Sequence, residues 1–574
     1  MRTTRGGAAR FDGETPDGEQ MTSAPCAGVI RAVGCLTFTP QPLRTSRLSS
    51  SWGVTMIRLL KTWGVWTAVA ALSGLFAAFS AAADDLVVKA DAPVTPLNHF
   101  WEHMFGSGRA VLALRDDYRQ DLRAVHAITD TQYVRFHHIF SDEIGVYSKD
   151  KQGHDVWNFS YVDQIYDGLL DIGVRPFVEL SFMPVKMSSD PNLKFGFWYG
   201  PNFAPPKSYA KWDEMMQRFA EHLIERYGIE EVSTWYFEVW NEPNIGFWGG
   251  MPHRATYYEL YEHTAKALKA VNPRLRVGGP STAQAAWVGQ FLTDMSKKGV
   301  PVDFASSHVY ANDTADNVFG TNEVISREHM VCRATRKVHD EIAASPLPKT
   351  PFVMSEFNAS YMNEPDVTDT VYMGPWLANM IRECDGTVDE MSYWAFSDVF
   401  EEQGIVKTPF YGGFGLIAER DIPKPAFNAF ALLHRLGDER LALDSTSALA
   451  TRAKDGHLAI AVWNYAPPDG GEAIYHGPSK EARPLKHYSL KFEGVSADAA
   501  VRVSRVDDTH GNVVATFDRM GRPPFPSRAQ IAELRASAAL PAPEVTHLSG
   551  GRLELDVPTH GLVLIETEQR AVTE

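Results

Sequence analysis

Short apolar runs alternate with longer amphipathic segments along the middle of this 574-residue chain. Eight such runs have strand-like composition: Leu97–Phe105, Gln132–His138, Val174–Phe182, Trp235–Asn241, Leu275–Gly279, Val302–His308, Pro351–Glu356 and Met391–Phe396. The intervening segments, such as Tyr209–Tyr227 and Arg254–Val271, place apolar residues at helical spacing. Eight strand–helix units predict an α/β fold with a closed (β/α)8 TIM barrel over residues 97–436, and they favour it over an open doubly wound sheet.

After Gly437 the pattern changes to short runs of alternating apolar and polar residues, separated by Gly, Pro and Asp. Leu458–Trp463, Ala500–Val503 and Leu553–Val557 are typical of these runs. This alternation predicts an accessory all-β domain, similar to a β-sandwich, over residues 437–574. The early apolar segment within residues 84–96 is expected to add an N-terminal strand to the same domain.

The first 83 residues read as two separate segments. From Met56 onward, Arg58 and Lys61 precede an apolar run from Trp63 to Phe79, and three alanines follow before Asp84. This is the pattern of a secretory signal peptide over residues 56–83, and it predicts export to the periplasm or the medium. Residues 1–55 are interpreted as a non-native upstream extension, with the true start at Met56. The apolar run is shorter than the roughly 20 residues of a spanning helix, so no stable membrane insertion is expected after cleavage.

Charge and motifs exclude several classes of partner. The 55 Lys and Arg residues against 71 Asp and Glu give a net charge of −16, which argues against binding to nucleic acid or to an anionic membrane. Gly106-Ser107-Gly108 lacks the third glycine of a dinucleotide-binding loop, so no cofactor is expected.

The metal and disulfide signals are weak. No HExxH or paired-cysteine pattern is present, and the neighbouring His137 and His138 would face opposite sides of a strand, so no metal is expected. Cys332 and Cys384 are the cysteines that follow the predicted signal. Their spacing leaves open whether they form a disulfide.

Two of the predicted strands deliver a carboxyl group at or just beyond their ends. Glu242 follows Trp235–Asn241, and Glu356 ends Pro351–Glu356. The ends of strands four and seven meet at the carboxyl face of a barrel, where active sites are built. Glycoside hydrolysis needs two such groups, one protonated and one ionised. The structural alternative is a helix cap at Glu242 and a surface ion pair at Glu356, but the flanking aromatic and amide residues favour a site.

Other polar and aromatic side chains end the remaining strands or follow them. They are Arg135, His137, Glu179, Asn241, His308, Tyr310, Trp394, Glu401 and Glu402. A structural role would explain each of them alone. Their convergence on one rim of the predicted barrel favours a functional site.

At these residues the chain resembles glycoside hydrolase family 39, the family of β-xylosidases and α-L-iduronidases. The resemblance rests on an ordered set of motifs: YVRFHHIFSDEIGVY (133–147), GVRPFVELSFMP (173–184), FEVWNEPN (237–244), HVY (308–310), SEFN (355–358), YWAFSDVFEE (393–402), GGFGL (412–416), IPKPAF (422–427) and VSRVDDTHGN (503–512). WNEPN alone occurs widely among barrel glycosidases, so the full set carries the assignment.

The resemblance implies a retaining double displacement, with Glu242 as general acid/base and Glu356 as nucleophile. Asn241 is then the expected partner of the sugar 2-hydroxyl. The remaining residues receive supporting roles. His308 and Tyr310 are expected to orient Glu356, Arg135 or His137 to hold the nucleophile side with Glu179 in support, Trp394 to stack on the sugar, and Glu401 or Glu402 to bind its hydroxyls.

Within this family a neutral sugar fits better than a uronic acid. A uronate needs a cation opposite its carboxylate, and residues 394–402 carry acids and no base, with Arg382 and Lys407 as candidate exceptions. The sequence therefore predicts an exported exo-β-xylosidase that releases xylose from the non-reducing ends of xylo-oligosaccharides. The alternatives are an α-L-arabinosidase, β-glucosidase or α-L-iduronidase and, in another class, a noncatalytic carbohydrate-binding barrel.

Overall fold

The computed structural model of the protein describes residues 84–468 and 485–568, which belong to one compact unit. The predicted extension at 1–55 and the predicted signal peptide at 56–83 lie outside the described residues. Within the described ranges, no helix has both the length and the hydropathy needed to cross a membrane.

Eight parallel strands close into a barrel, which confirms the predicted fold class. Each strand pairs with the next along the chain, and the eighth pairs with the first. In order, they are Met104–Gly106, Tyr133–Phe136, Arg175–Glu179, Tyr236–Glu238, Arg276–Thr282, Phe304–Tyr310, Phe352–Asn358 and Glu390–Tyr393.

The first strand is shorter than the predicted run from Leu97 to Phe105. Residues 97–103 instead pack beneath the barrel, where Trp101 is fully buried and the Phe100 carbonyl accepts a hydrogen bond from Met391 N at 2.9 Å. An apolar run shows burial but does not distinguish a strand from a buried connecting segment, so the prediction of this strand start was wrong.

Helices surround the barrel strands and follow the predicted spacing. Tyr209–Tyr227 begins after Ser208, whose side chain accepts a hydrogen bond from Lys211 N, and it ends at Gly228, where φ is 81°. The other α-helices are Asp116–His126, Ser160–Leu170, Ile229–Val232, His253–Val271, Val288–Lys298, Ala315–Phe319, Arg327–Ala343, Pro365–Thr368, Met373–Cys384, Pro425–Leu433, Val513–Arg519 and Arg528–Ala538. Two 3-10 turns span Ala110–Leu114 and Ala283–Ala285.

Two further sheets form the β region. A three-stranded sheet contains Asp84–Lys89, Lys486–Glu493 and Arg552–Val557. A seven-stranded sheet contains, in spatial order, Val94–Pro96, Glu439–Leu441, Ala448–Arg452, Leu458–Trp463, Leu562–Thr567, Ala500–Val506 and Glu544–His547. Alternate residues of both sheets, among them Val88, Ile460 and Leu490, share one hydrophobic core.

The N-terminal strand Asp84–Lys89 lies in this β region, parallel to Lys486–Glu493. The region is not purely β, because the helices Val513–Arg519 and Arg528–Ala538 pack on Phe410 and Ile422. Two-stranded ladders pair Tyr147–Lys149 with Asp155–Trp157 and Ile417–Ala418 with Ile422–Pro423.

Cys332 and Cys384 form a disulfide with an S–S distance of 2.07 Å. It joins the helices Arg327–Ala343 and Met373–Cys384, which pack against each other outside the barrel. The structure thus decides a pairing that the spacing of the two cysteines left open.

Candidate active site

Glu242 and Glu356 lie together at the carboxyl end of the barrel. Glu356 is part of the seventh strand, and Glu242 follows the fourth strand by four residues. One carboxylate oxygen of each lies within 4.8 Å of the other. Retaining glycosidases hold their two carboxyl groups about 5–5.5 Å apart, whereas inverting enzymes need roughly 6.5–9.5 Å. The spacing is therefore that of a retaining site.

Glu242 reaches this position through a sharply bent backbone. Its φ is 42°, and that of Trp240 is 69°, so two residues of this segment are in the left-handed region. Glu242 N donates to the Ser281 carbonyl at 2.8 Å, and Ser281 Oγ donates to the Trp240 carbonyl at 3.0 Å. Hydrogen bonds to the fifth strand thus hold the strained segment and aim its carboxyl group into the barrel mouth.

Arg135 lies beneath the site and contacts several of its polar side chains. It is 1% exposed, and its guanidinium donates to Glu356 Oε1 and Glu238 Oε2, both at 2.6 Å, and to Asn241 Oδ1 at 3.0 Å. A further ion pair to Glu179 spans 2.8 Å. Burial alone would lower the pKa of Arg135, but these carboxylates outweigh it and raise the pKa. The fixed cation holds Glu356 in place and compensates its charge.

Tyr310 and His308 have different glutamates as their closest partners. Tyr310 donates from its hydroxyl to Glu356 Oε2 at 2.8 Å, as the predicted orienting role requires. His308 Nδ1 lies 3.0 Å from Glu242 Oε1 and 3.6 Å from Glu356 Oε2, so its closer partner is Glu242.

The protonation state of His308 follows from its neighbours. Burial lowers its pKa well below the usual value, and the charges of Arg135 and His137 lower it further. Arg135 Nη2, which can only donate, lies 3.5 Å from His308 Nε2. The neutral imidazole therefore carries its proton on Nδ1 and donates to Glu242.

Glu242 is set up to be protonated in the free site. Burial raises its pKa well above the usual value, and the negative charges of Glu356 and Asp313 raise it further. If Glu356 became esterified to a sugar, its charge would disappear and the pKa of Glu242 would fall. The same carboxyl group can therefore give a proton in one step and take one in the next.

His137 and Glu402 form the opposite part of the site. His137 Nδ1 lies 2.6 Å from Glu179 Oε2, and its Nε2 lies 3.8 Å from Glu402 Oε1. Burial opposes the charge on His137, but Glu179 and Glu356 outweigh it and raise the pKa of the imidazole. Burial raises the pKa of Glu402 to about 8, against the lowering effect of His137. A protonated Glu402 can donate as well as accept a hydrogen bond.

His138 faces away from this cluster. Its φ is 82°, and its Nδ1 lies 3.0 Å from Glu143 Oε1. The two neighbouring imidazoles thus have different partners. Strand alternation is not the reason, because the second strand ends at Phe136, before both histidines.

The side chains enclose a cavity of about 380 Å³. It is lined by His137, Phe197, Asn241, Glu242, Ile245, Phe247, Ala283, Gln284, Tyr310, Asp313, Glu356, Tyr361, Trp394, Glu402, Gln403 and Phe414. Three other residues that the sequence predicted, Arg135, Glu179 and His308, lie behind this wall and contact the lining residues.

Glu401 is the one predicted site residue that the structure places elsewhere. Its carboxylate accepts hydrogen bonds from Arg109 at 3.1 Å and from Arg115 at 2.6 Å, and it does not line the cavity. Glu401 has a φ of 66°, so the backbone turns sharply between the two residues, and Glu402 lines the cavity while Glu401 contacts these two arginines.

Trp394 forms the floor of the cavity. Its ring lies against Gly106, where an added Cβ would come within 2.1 Å of Cε3. The ring centroid is 4.8 Å from that of His137. Gly106, whose only sequence signal was an incomplete dinucleotide-binding pattern, is thus needed to make room for the indole.

Several residues that line or support the cavity were not singled out from the sequence. Gln284 and Asp313 come from the loops after strands five and six, and Ile245, Phe247 and Phe197 read as ordinary apolar residues. Glu238 was detectable in principle, because a carboxylate inside the apolar run Trp235–Asn241 needs a buried partner.

Two sets of side chains in the site could in principle hold a metal ion, with one donor atom from each residue within 4.8 Å of the others. They are His137 with Glu179 and Glu356, and Glu242 with His308 and Glu356. A third set, His99 with Glu102 and His434, lies apart from the cavity. In the site, Arg135 already supplies the cation for Glu179 and Glu356, so a metal ion would have to compete with the guanidinium. The expectation that no metal is needed stays a prediction.

A closed (β/α)8 barrel that carries two carboxyl groups at retaining distance, one with a pKa raised by burial and the other paired with a cation, defines a retaining glycoside hydrolase. The comparison with known sequences agrees. The profile of glycosyl hydrolases family 39 matches residues 85–552, and the chain belongs to this family.

Individual relatives agree with the family assignment. A β-xylosidase of Geobacillus stearothermophilus is 37% identical over 82% of this chain and 92% of its own length. The human α-L-iduronidase is 24% identical over 70% of this chain and 64% of its own length. The crystal structure of a monomeric β-xylosidase from Caulobacter crescentus CB15 superposes with a TM-score of 0.77 at 32% identity, and covers 85% of this chain and 99% of that one.

Proposed function

We propose that the protein is a β-xylosidase that releases xylose from the non-reducing ends of xylo-oligosaccharides. The observation that carries this proposal is the charge of the cavity wall. None of the described residues that line the cavity is Lys or Arg, whereas His137, Glu402 and Asn241 offer hydrogen bonds to neutral hydroxyls. A uronate would have no Lys or Arg opposite its carboxylate there, and any positive charge on His137 is already paired with Glu179.

The two basic residues considered as exceptions do not supply that cation. Arg382 donates to Glu383 at 2.7 Å and does not line the cavity. Lys407 is exposed and also lies outside the lining. The β-xylosidases of Geobacillus stearothermophilus and Caldicellulosiruptor saccharolyticus, at 37% and 34% identity, support the same choice of sugar.

The proposed reaction has two steps. Glu356 attacks the anomeric carbon while Glu242 protonates the departing oxygen, and a glycosyl ester forms on Glu356. Glu242 then takes a proton from water, which attacks the same carbon and frees Glu356. Asn241 Oδ1 is already bonded to Arg135, so the amide nitrogen is the group left to bind the sugar 2-hydroxyl.

We also propose that the protein is exported, on the signal-like pattern of residues 56–83. The disulfide between Cys332 and Cys384 supports an oxidising compartment such as the periplasm or the medium.

A panel of activated glycosides tests the proposed specificity. We expect p-nitrophenyl β-D-xyloside to give a higher kcat/KM than the corresponding α-L-arabinoside and β-D-glucoside and than 4-methylumbelliferyl α-L-iduronide. Glu356→Gln serves as the control for contaminating activity. A kcat/KM that is highest on the arabinoside, the glucoside or the iduronide would contradict the proposal.

A further inference from the structure

The strand order of the barrel gives its mouth two sides. The fourth, fifth and sixth strands are neighbours, and the eighth, first and second strands lie opposite them. Trp394 and Glu402 follow the eighth strand and His137 follows the second, whereas Glu242 follows the fourth. In the proposed double displacement, the leaving group binds beside the general acid. The loops after strands four, five and six, here called the acid side, therefore face the leaving group.

Two polar side chains line the cavity on the acid side. Gln284 follows strand five, and Asp313 follows strand six. The side chain of Gln284 donates a hydrogen bond to the Asp313 carboxylate. The negative charge of Asp313 raises the pKa of Glu242, an effect that requires the two carboxyl groups to be near each other. Gln284 and Asp313, here called the polar pair, therefore lie beside the proposed acid.

The loop that carries Gln284 has a strained backbone. Gln284 and the next residue, Ala285, have φ values of 62° and 51°, in the left-handed region that non-glycine residues rarely adopt. Asn244 joins this loop to the loop after strand four by two hydrogen bonds to Ala283, of 3.0 and 2.9 Å, and Lys337 Nζ donates to the Ala285 carbonyl at 2.6 Å. Strain that the surrounding structure enforces in this way is typical of ligand-binding segments.

The polar pair keeps hydrogen-bonding capacity for a ligand. Asp313 accepts from Tyr310 N at 2.8 Å and from the Gln284 side chain. A carboxylate has about four acceptor sites, and a primary amide can donate twice and also accept. These contacts therefore leave an N–H group and the oxygen of the Gln284 amide, and acceptor sites on Asp313. The neighbouring hydroxyls of a xylose unit, each of which can donate and accept, match this set.

An apolar wall beside the polar pair suits the ring of a sugar. Ile245 and Phe247 lie in the loop after strand four and line the cavity. The Phe247 ring stacks on Phe195 with centroids 4.1 Å apart, and Trp240 Nε1 donates to the Phe247 carbonyl at 2.8 Å. A pyranose has C–H groups on its ring faces and hydroxyls at its edge, so it can contact this wall while the polar pair binds its hydroxyls.

From these contacts we infer that Gln284 and Asp313 bind the hydroxyls of the leaving xylose unit and make the leaving-group subsite selective for a sugar over a simple alcohol. The inference rests on the proposed β-xylosidase function and adds to it the residues that recognise the second sugar of the substrate.

Xylobiose and cyclohexyl β-D-xyloside make a matched pair of substrates for this inference. Both release a secondary alcohol on a six-membered ring, but only xylobiose carries further hydroxyls on that ring. Both leaving groups also need a proton from Glu242, so a substitution that alters this acid affects both reactions. The ratio of the two kcat/KM values therefore isolates the contacts to the additional hydroxyls. We expect kcat/KM on xylobiose to exceed that on cyclohexyl xyloside at least about tenfold in the wild type.

Gln284→Met removes the amide but keeps an unbranched side chain of similar length, and it should lower this ratio at least about fivefold. Gln290→Met, at an exposed position in the helix Val288–Lys298, is the matched control and should keep the wild-type ratio. Gln284→Asn is a second variant, because asparagine tolerates a φ of 62° and its shorter amide cannot reach the same position. It should lower the ratio in the same direction.

Hydrolysis of p-nitrophenyl β-D-xyloside, whose leaving group carries no sugar hydroxyls, together with melting curves shows which variants are folded. A wild-type ratio of one or less, or an unchanged ratio in the folded Gln284 variants, would overturn the inference. If the wild type released no p-nitrophenol from the aryl xyloside, the proposed function itself would fail instead.

Discussion

Arg135 Nη1 donates a hydrogen bond of 2.6 Å to Glu356 Oε1, from the second strand of the barrel to the seventh. The same guanidinium also holds Glu238 and Asn241, so one buried cation fixes Glu356 and the residue next to Glu242. The positive charge of Arg135 explains how several carboxyl groups can be buried in one site. Without this cation their negative charges would be uncompensated.

Arg135→Lys should therefore lower activity strongly while it keeps the positive charge. An ammonium group cannot donate along the three directions that the guanidinium uses, so kcat/KM on an aryl xyloside should fall by about 10²–10³. Arg276→Lys, at the other end of a barrel strand, is the matched control and should stay within about threefold of wild type. Melting curves identify unfolded variants. A folded Arg135→Lys variant with wild-type kcat/KM would show that the guanidinium group is not required.

Substitution of the two glutamates by alanine should impair the reaction in different ways. Glu356→Ala removes the nucleophile, and its activity should fall by several orders of magnitude on every substrate. Glu242→Ala should still form the glycosyl-enzyme from an activated aryl xyloside, because that leaving group departs without a proton. Azide should then rescue Glu242→Ala as the β-xylosyl azide and Glu356→Ala as the α-azide, as read by proton NMR. The same azide anomer from both variants would contradict the assigned roles, and so would release of α-xylose as the first wild-type product.

Asp313 should set the alkaline limit of activity. The proposed reaction needs protonated Glu242, so kcat/KM should fall as the pH rises through the pKa of that group. Burial raises the pKa of Asp313 to about 6, so it is ionised on the alkaline side, where its negative charge raises the pKa of Glu242. Asp313→Asn removes this charge and should move the alkaline limb to lower pH by at least about half a unit.

Asp316→Asn is the matched control for this shift. Asp316 is an exposed carboxylate three residues further along the chain, in the first turn of the helix Ala315–Phe319, and it does not line the cavity. Its removal should leave the pH profile of kcat/KM in place. An alkaline limb that stays fixed in Asp313→Asn, or that shifts equally in both variants, would show that Asp313 does not tune Glu242.

The predicted signal peptide implies a mature N-terminus at or near Asp84, where the first described strand begins. Expression of the full 574-residue sequence from Met1 in an exporting bacterium, followed by N-terminal sequencing of the periplasmic and secreted fractions, measures this directly. Protein that starts upstream of Met56 in those fractions would contradict both the cleavage site and the assigned start.

The sequence by itself determined the barrel and its two carboxyl groups. Eight apolar runs with amphipathic helices between them have few other ways to bury their apolar faces, and residues at the carboxyl ends of parallel strands must meet at one rim. This placed Glu242 and Glu356 on the same face although 114 positions separate them along the chain. Hydrophobic periodicity is a local property, which is why it could be read from the chain.

Only the tertiary structure decided how the remaining residues share their contacts. Glu401 and Glu402 are neighbours with the same chemistry, yet one pairs with Arg109 and the other lines the cavity. His308, expected to orient Glu356, has Glu242 as its closer partner, and Arg135 holds groups from three other strands or the loops after them. A side chain's direction and its nearest charge depend on backbone torsions and on residues far away in sequence, so spacing along the chain cannot fix them.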